Sequence, residues 1–208
     1  MNTILTFPGV PSKDYGDNIV NLTRSDKSDP STSFLNGLAS HNIKAVNFDS
    51  VKDDFDKLRG VCKSFQQKLK SVDAFFKSSN GKCYFIEFKK STSEALNEID
   101  EGEKIDASFR KKAFDSITLS GLTVTKDTTG SDLMNNAVLI VVYKSSSRDA
   151  LAAIDFNNLI TSRANGCHTA IQYPTQWGLD ELKTAGLYSD VHTWPDNKFE
   201  SWAASNLI

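Results

Sequence analysis

The chain has 208 residues, of which 39% are hydrophobic and 24% charged, so it can bury the core of one domain. Its formal net charge of −2 excludes an overall basic field, and a nucleic-acid ligand would need a local basic patch. The wide spacing of Cys62, Cys83 and Cys167 argues against a zinc motif or a disulfide framework. We expect a cytoplasmic protein without a membrane partner, because the longest apolar run, residues 137–143, is too short to span a bilayer.

Residues 1–45 are rich in Ser, Asp, Asn, Gly and Pro, and the stretch TRSDKSDPSTS at residues 23–33 has the composition of a loop. We predict an irregular N-terminal arm over residues 1–45, with short strands only near Thr3–Phe7 and Lys44–Phe48. Residues 46–208 are predicted to form one α/β domain.

Apolar residues recur every three or four positions from Val51 to Leu69, which predicts an amphipathic helix. Ser50 precedes this pattern and is a candidate N-cap. Asp53 and Asp54 are predicted to lie in the first turn, where the helix dipole favours acidic side chains.

The stretch SVDAFFKSSNGKCYFIEFKKS, residues 71–91, has two runs of strand-forming residues around Asn-Gly, a strong short-range signal of a β-hairpin. Charges interrupt both strands, with Asp73 in the first and Glu87 and Lys89 in the second. Because side chains alternate between the faces of a strand, Glu87 and Lys89 share one face. Asp73 lies opposite Glu87 or Lys89 if the hairpin loop has an odd number of residues, and on the wrong face if that number is even.

The rest of the chain predicts, in order, a short helix near Ser93, a helix at 107–121, a loop at 125–136, a buried strand at 137–144, a helix at 147–160, a strand at 189–194 and a closing helix at 196–207. The predicted fold class is therefore α/β. We expect a mixed central sheet with flanking helices, in which the hairpin lies beside a strand delivered by a helical crossover.

The three hairpin charges indicate a chemistry. Two facing carboxylates repel each other, and they are retained together where a cation lies between them or where they share a proton. Hard oxygen ligands in an incomplete cage suit Mg²⁺ or Mn²⁺ with several waters. A lysine on the same face can orient or deprotonate one such water. A divalent cation together with an activated water is what phosphodiester hydrolysis requires.

Asp73 in one strand, followed by IEFK with Glu87 and Lys89 in the next, resembles the PD-(D/E)xK, or restriction-endonuclease-like, nuclease superfamily. The resemblance implies a restriction-endonuclease-like core in residues 46–208 and catalytic roles for all three residues. It implies that Asp73 and Glu87 bind Mg²⁺ or Mn²⁺, that Lys89 assists the attacking water, and that the substrate is nucleic acid, with DNA favoured over RNA. The wider similarity is to uncharacterised phage- and defence-associated members and covers residues 51–194.

The sequence departs from the family at two points. Val72 stands where the name-giving proline is expected. The family also has a strand between its first helix and the Asp-bearing strand, so here the helix ends early, near Lys63, or the strand comes from elsewhere in the chain. Many members carry an acid on the first helix, and the candidates are Asp53, Asp54 and Asp56.

Basic residues near the motif form a candidate nucleic-acid-binding patch, because phosphate contacts need only Lys or Arg. They are Lys90, Arg110, Lys111 and Lys112. The alternative interpretation of the last three is a solvated helix flank.

Other classes of function are open from the sequence. The bare [DE]xK pattern also occurs at Glu181–Lys183 and Asp196–Lys198, and the three hairpin charges would be ordinary on an exposed face. The main alternative to an enzyme is a nuclease-fold protein that acts as a non-catalytic binding, structural or inhibitory module in a phage, toxin-immunity or defence system. The second is an unrelated α/β interaction domain. A protein partner or a homodimer is compatible with each.

Overall fold

The structure is a computed structural model that describes residues 4–5, 12–23, 33, 35–59, 69–89, 105–123, 130–144 and 179–207. Its strands are β1 Ile4–Leu5, β2 Lys13–Asp14, β3 Gly16–Asn18, β4 Lys44–Asn47, β5 Ala74–Lys77, β6 Cys83–Lys89, β7 Ala137–Tyr143 and β8 Asp190–Pro195. Its helices are α1 Ile19–Leu22, α2 Phe48–Arg59, α3 Ile105–Thr123, α4 Gly130–Asn136, α5 Asp180–Thr184 and α6 Asp196–Asn206, and a 3-10 turn lies at Asn36–Leu38.

A six-stranded sheet in the order β3-β4-β5-β6-β7-β8 organises the described residues. Neighbouring strands are antiparallel from β3 to β6, whereas β7 is parallel to both β6 and β8. Strands β1 and β2 pair separately as a two-stranded ribbon. The prediction of a mixed α/β sheet with an antiparallel hairpin beside a parallel strand is therefore confirmed.

Helices cover both faces of this sheet, and each face has its own hydrophobic core. Residues of α2, α3, α4 and α5 pack with Phe75 and Phe85 on one face, and residues of α1 and α6 pack with Ile86 on the other. All seven residues of β7 are buried, as predicted for a strand that is apolar throughout, because both of its faces are covered. Within the described residues, no helix is long and apolar enough to cross a membrane.

The first long helix begins earlier than its apolar pattern predicts. The Asn47 side chain accepts a hydrogen bond from the Ser50 N–H at 3.1 Å, which is the contact of an N-cap, so the assignment of that role to Ser50 was wrong. Asp49 is the acid in the first turn. Strand β5 pairs with β4 on the side away from β6, and β4 precedes α2 in the chain. Of the residues predicted to continue this helix, 60–68 lie outside the described residues and Leu69 is not helical.

Several other predicted elements have clear outcomes. The strand at 189–194 and the closing helix are confirmed as β8 and α6, and α3 extends the predicted helix at both ends. The loop predicted at 125–136 was wrong in its second half, which forms α4, and α5 was not predicted. The helices predicted near Ser93 and at 147–160 lie outside the described residues. The boundary between the arm and the α/β domain was predicted at residue 45. Strand β3 precedes this boundary and strand β4 spans it, yet both strands belong to the six-stranded sheet.

Candidate functional site

The hairpin of β5 and β6 fixes the relation between the predicted site residues. Its register runs from Ala74 opposite Ile86 to Lys77 opposite Cys83, which leaves five residues, 78–82, in the connection. The loop is therefore odd. Continued by one position, the register places Asp73 opposite Glu87, where Cβ atoms are typically about 4.5–5.5 Å apart.

Asp73 immediately precedes β5 and is fixed through both its backbone and its side chain. Its carbonyl accepts the Phe48 N–H at 3.1 Å, which ties it to the beginning of α2. Its Oδ2 accepts the Phe88 N–H of β6 at 2.6 Å. Burial raises the pKa of the Asp73 carboxyl well above its ordinary value, and the Glu87 carboxylate adds to that rise, while Lys112 and the Phe88 N–H oppose it.

Glu87 is buried, with 2% of its side chain exposed, and its two oxygens have unequal surroundings. Oε1 accepts from the Lys112 Nζ at 2.6 Å and lies 3.3 Å from the Lys89 Nζ. Oε2 is buried and has no hydrogen-bond partner among the described residues. A buried oxygen of this kind is costly unless a ligand, an ion or a water satisfies it.

The two lysines reach Glu87 from different elements. Lys89 belongs to the same strand and face, is 14% exposed, and places its ammonium 5.3 Å from the centre of the Phe109 ring. Lys112 comes from α3, where it shares a helix face with Phe109 and Ser116 at intervals of three and four. Burial lowers the pKa of the Lys112 ammonium, but Glu87 and Asp73 together outweigh burial and raise it above its ordinary value.

Helix α3 also fixes the segment that leads into Asp73. The Ser116 Oγ accepts the Val72 N–H at 3.0 Å, and the Asp115 carboxylate accepts the Lys70 N–H at 2.9 Å. The helix that delivers Lys112 to Glu87 therefore also holds the backbone that carries Asp73. These contacts make the arrangement of the two carboxylates and two ammoniums a property of three packed elements rather than of the hairpin alone.

An acidic cleft of about 320 Å³ opens beside Asp73. Its lining includes Asp17, Asp49, Asp53 and Asp73, together with Lys52, whose ammonium is 3.1 Å from the Asp53 carboxylate. Asp49 accepts from the Ser71 Oγ at 2.5 Å. Asp73 is the member of the carboxylate pair that lines this cleft.

The three acids proposed for the first helix lie in different surroundings. Asp53 lines the cleft. Asp54 instead pairs with Lys13 at 2.5 Å, and Asp56 is buried. Asp49 also lines the cleft, and the sequence reasoning missed it; its spacing of four from Asp53 on one helix face is the signal that could have found it.

The structure describes three of the four residues of the predicted basic patch, and each pairs with a different acid. Lys112 turns to Glu87, Arg110 pairs with Glu181 at 2.8 Å, and Lys111 pairs with Asp115 at 3.1 Å. Lys90 lies outside the described residues. The role of Lys112 as a partner of Glu87 was missed, because the two residues lie 25 positions apart in the sequence.

Comparison with models of protein families, with curated proteins and with solved structures found no match to this chain. The geometry of the site is therefore the basis on which a function is proposed.

Among the described residues, no group of three or more His, Cys, Asp or Glu side chains is arranged to hold a metal ion. Mg²⁺, however, is commonly held by one or two carboxylates, with waters or substrate phosphate completing its shell. Asp73 and Glu87 form such a pair, and the buried Oε2 of Glu87 lacks a partner within the part of the chain that the structure describes. The donor set and the unsatisfied oxygen fit a hard divalent cation.

Proposed function

We propose that this protein is a metal-dependent nuclease with a restriction-endonuclease-like core, and that it cleaves phosphodiester bonds in DNA. The observation that carries the proposal is the meeting of Asp73, Glu87 and Lys89 at one end of the central hairpin, with a buried Glu87 oxygen that no described residue satisfies. Of the three [DE]xK patterns in the sequence, this is the one on a buried strand that faces an aspartate.

Each residue has a role that follows from its surroundings. Asp73 and Glu87 would hold Mg²⁺ or Mn²⁺, which supplies Lewis-acid stabilisation of the charge that develops on phosphate oxygens. Lys89 is held between Glu87 and the Phe109 ring, so its ammonium can orient a water against the phosphorus atom. The acidic cleft would admit a phosphodiester only after a cation has offset its charge, which accounts for a metal requirement.

The topology supports the proposed core. The Asp73 strand is antiparallel to the strand with Glu87 and Lys89, helix α3 follows, and β7 returns parallel to β6. One feature differs from the usual core, because β4 precedes α2 instead of following it.

A cleavage assay on labelled single- and double-stranded DNA, with RNA in parallel, tests the proposal. The parent should cleave with Mn²⁺ or Mg²⁺ and be silent in chelator. Asp73→Asn should abolish cleavage, and Lys89→Ala should reduce it by about 10²–10⁴-fold, the usual range for a group that handles a proton in the transition state.

Lys183→Ala is the matched control, since Lys183 occupies the second [DE]xK pattern and pairs with Asp190 at the surface. It should cleave as the parent does. The absence of cleavage by the parent with either metal, or cleavage that survives both chelator and Asp73→Asn and so comes from a contaminant, contradicts the proposal and favours a non-catalytic module.

A further inference from the structure

Glu87 is neutralised in the structure by the protein's own side chains. Its Oε1 is shared by the ammoniums of Lys112 and Lys89, at 2.6 and 3.3 Å. Asp73, on the facing position, lies within the electrostatic reach of Lys112. The negative charge of Glu87 is thus offset by two ammoniums of the protein itself.

This matching has a physical reason. Burying a carboxylate without a counter-charge costs several kcal/mol, so a site built to receive a cation needs a substitute when the cation is absent. The two lysines differ in their position and in their freedom to leave the Glu87 carboxylate. Lys89 is held over the Phe109 ring and belongs to the strand that carries Glu87. Lys112 makes the shorter contact and comes from another element, and 22% of its side chain is exposed, so its long chain can turn toward solvent.

We propose that Lys112 is the resting counter-ion of the site and competes with a divalent cation for the Asp73–Glu87 pair. The inference rests on the proposed function for the identity of the pair as a cation site. Lys112 stabilises the cation-free protein and weakens cation binding, because an ammonium close to the pair repels a second positive charge. The protein therefore folds without metal and responds only to higher cation concentrations.

Isothermal calorimetry with Mn²⁺ and Mg²⁺ alone tests this competition. Lys112→Gln removes the charge and should tighten Mn²⁺ binding by about tenfold or more, whereas Lys112→Arg keeps the charge and should stay within about threefold of the parent. Lys183→Gln, at an exposed pair, should leave Mn²⁺ binding unchanged. Equal or weaker Mn²⁺ binding by Lys112→Gln overturns the proposal, because Lys112 would then only position Glu87.

A second measurement uses the parent protein, so it tests the proposal even if the Lys112 variant does not fold. In ¹⁵N spectra of the lysine side chains, the Lys112 ammonium signal should shift progressively as Mg²⁺ is added, while the Lys183 signal stays constant. A Lys112 signal that does not move while calorimetry shows Mg²⁺ saturating the protein contradicts the competition.

These outcomes separate the inference from the proposed function. Tighter Mn²⁺ binding by Lys112→Gln without cleavage by any form supports the counter-ion and removes the nuclease. Cleavage by the parent, with no gain in Mn²⁺ affinity on loss of Lys112, supports the nuclease and removes the counter-ion. The absence of cation binding by both the parent and Lys112→Gln overturns both.

Discussion

The ion pair of Glu87 and Lys112 gives a stability prediction whose size can be worked from the structure. Removing one partner of a fully buried pair costs about 3–5 kcal/mol. Lys112 keeps 22% of its side chain exposed, and Lys89 stays beside Glu87 when Lys112 is lost. In chelator, Lys112→Gln should therefore lower the free energy of unfolding by ~2–3 kcal/mol.

Glu87→Gln removes the other partner and has two opposing effects. It takes from Lys112 its nearest anion, and it relieves the repulsion between facing carboxylates, which is about 0.2–1 kcal/mol. We expect a net loss of ~1–2 kcal/mol in the free energy of unfolding. From the sequence alone, the metal-free variant is expected to be as stable as the parent or slightly more stable, because the sequence reveals the repulsion with Asp73 but not the bond to Lys112.

The double variant Glu87→Gln/Lys112→Gln tests whether the two residues act through each other. Its loss should be ~1–2 kcal/mol, which corresponds to a coupling energy of about 2.5 kcal/mol. Urea denaturation at pH 7 in chelator measures the four proteins, and equal m values show that the transitions are comparable. The same cycle on the exposed pair Lys183–Asp190 should give a coupling of about 1 kcal/mol or less. Losses at Glu87 and Lys112 that add within about 0.5 kcal/mol would refute the reasoning.

Three further predictions concern the site and its core. The pKa of Asp73 is raised in the folded protein, so its protonated form stabilises the fold at low pH, and this contribution is lost as pH rises through the folded pKa. Asp73→Asn should therefore gain stability relative to the parent as pH rises from about 4 to 8 in urea titrations, and a constant difference would contradict the raised pKa. Lys111→Gln should reduce the slope of log affinity for DNA against log salt by about one if Lys111 contacts phosphate, and an unchanged slope would identify a solvated flank. Phe85→Ala should lower the free energy of unfolding by about 3–5 kcal/mol, because its ring packs on Phe48, Phe75 and Tyr188, whereas Phe114→Ala, at an exposed ring, should stay within about 0.5 kcal/mol.

Local signals were sufficient for the elements that tertiary packing reinforces. The Asn-Gly pair and the flanking apolar runs predicted the hairpin, and an unbroken apolar stretch predicted β7. Where the local sequence signal was weak, tertiary packing determined the secondary structure. Residues 130–136 read as a loop, but Leu133 is buried in the core and this burial favours a short helix there. The N-cap moved to Asn47 because the helix begins directly at the end of β4.

The candidate site, too, could be predicted from the sequence only in part. The sequence placed Asp73, Glu87 and Lys89 on one hairpin, but only the loop length settled that Asp73 faces Glu87. Lys112 could not be assigned from local pattern, since its contact with Glu87 spans 25 positions and depends on how α3 packs against the sheet. Asp49 joins Asp73 at the cleft for a similar reason, because the start of α2 is bonded to the Asp73 carbonyl.

The most direct test of the central claim is to locate a divalent cation on the protein. Crystals soaked in Mn²⁺, at a concentration that supports cleavage, should show an anomalous scattering peak within about 2.5 Å of the Glu87 Oε2 and of the Asp73 carboxylate. The same soak of Asp73→Asn crystals should show a much weaker peak at that position. A strong Mn²⁺ peak elsewhere on the parent, with none between Asp73 and Glu87, would contradict the account.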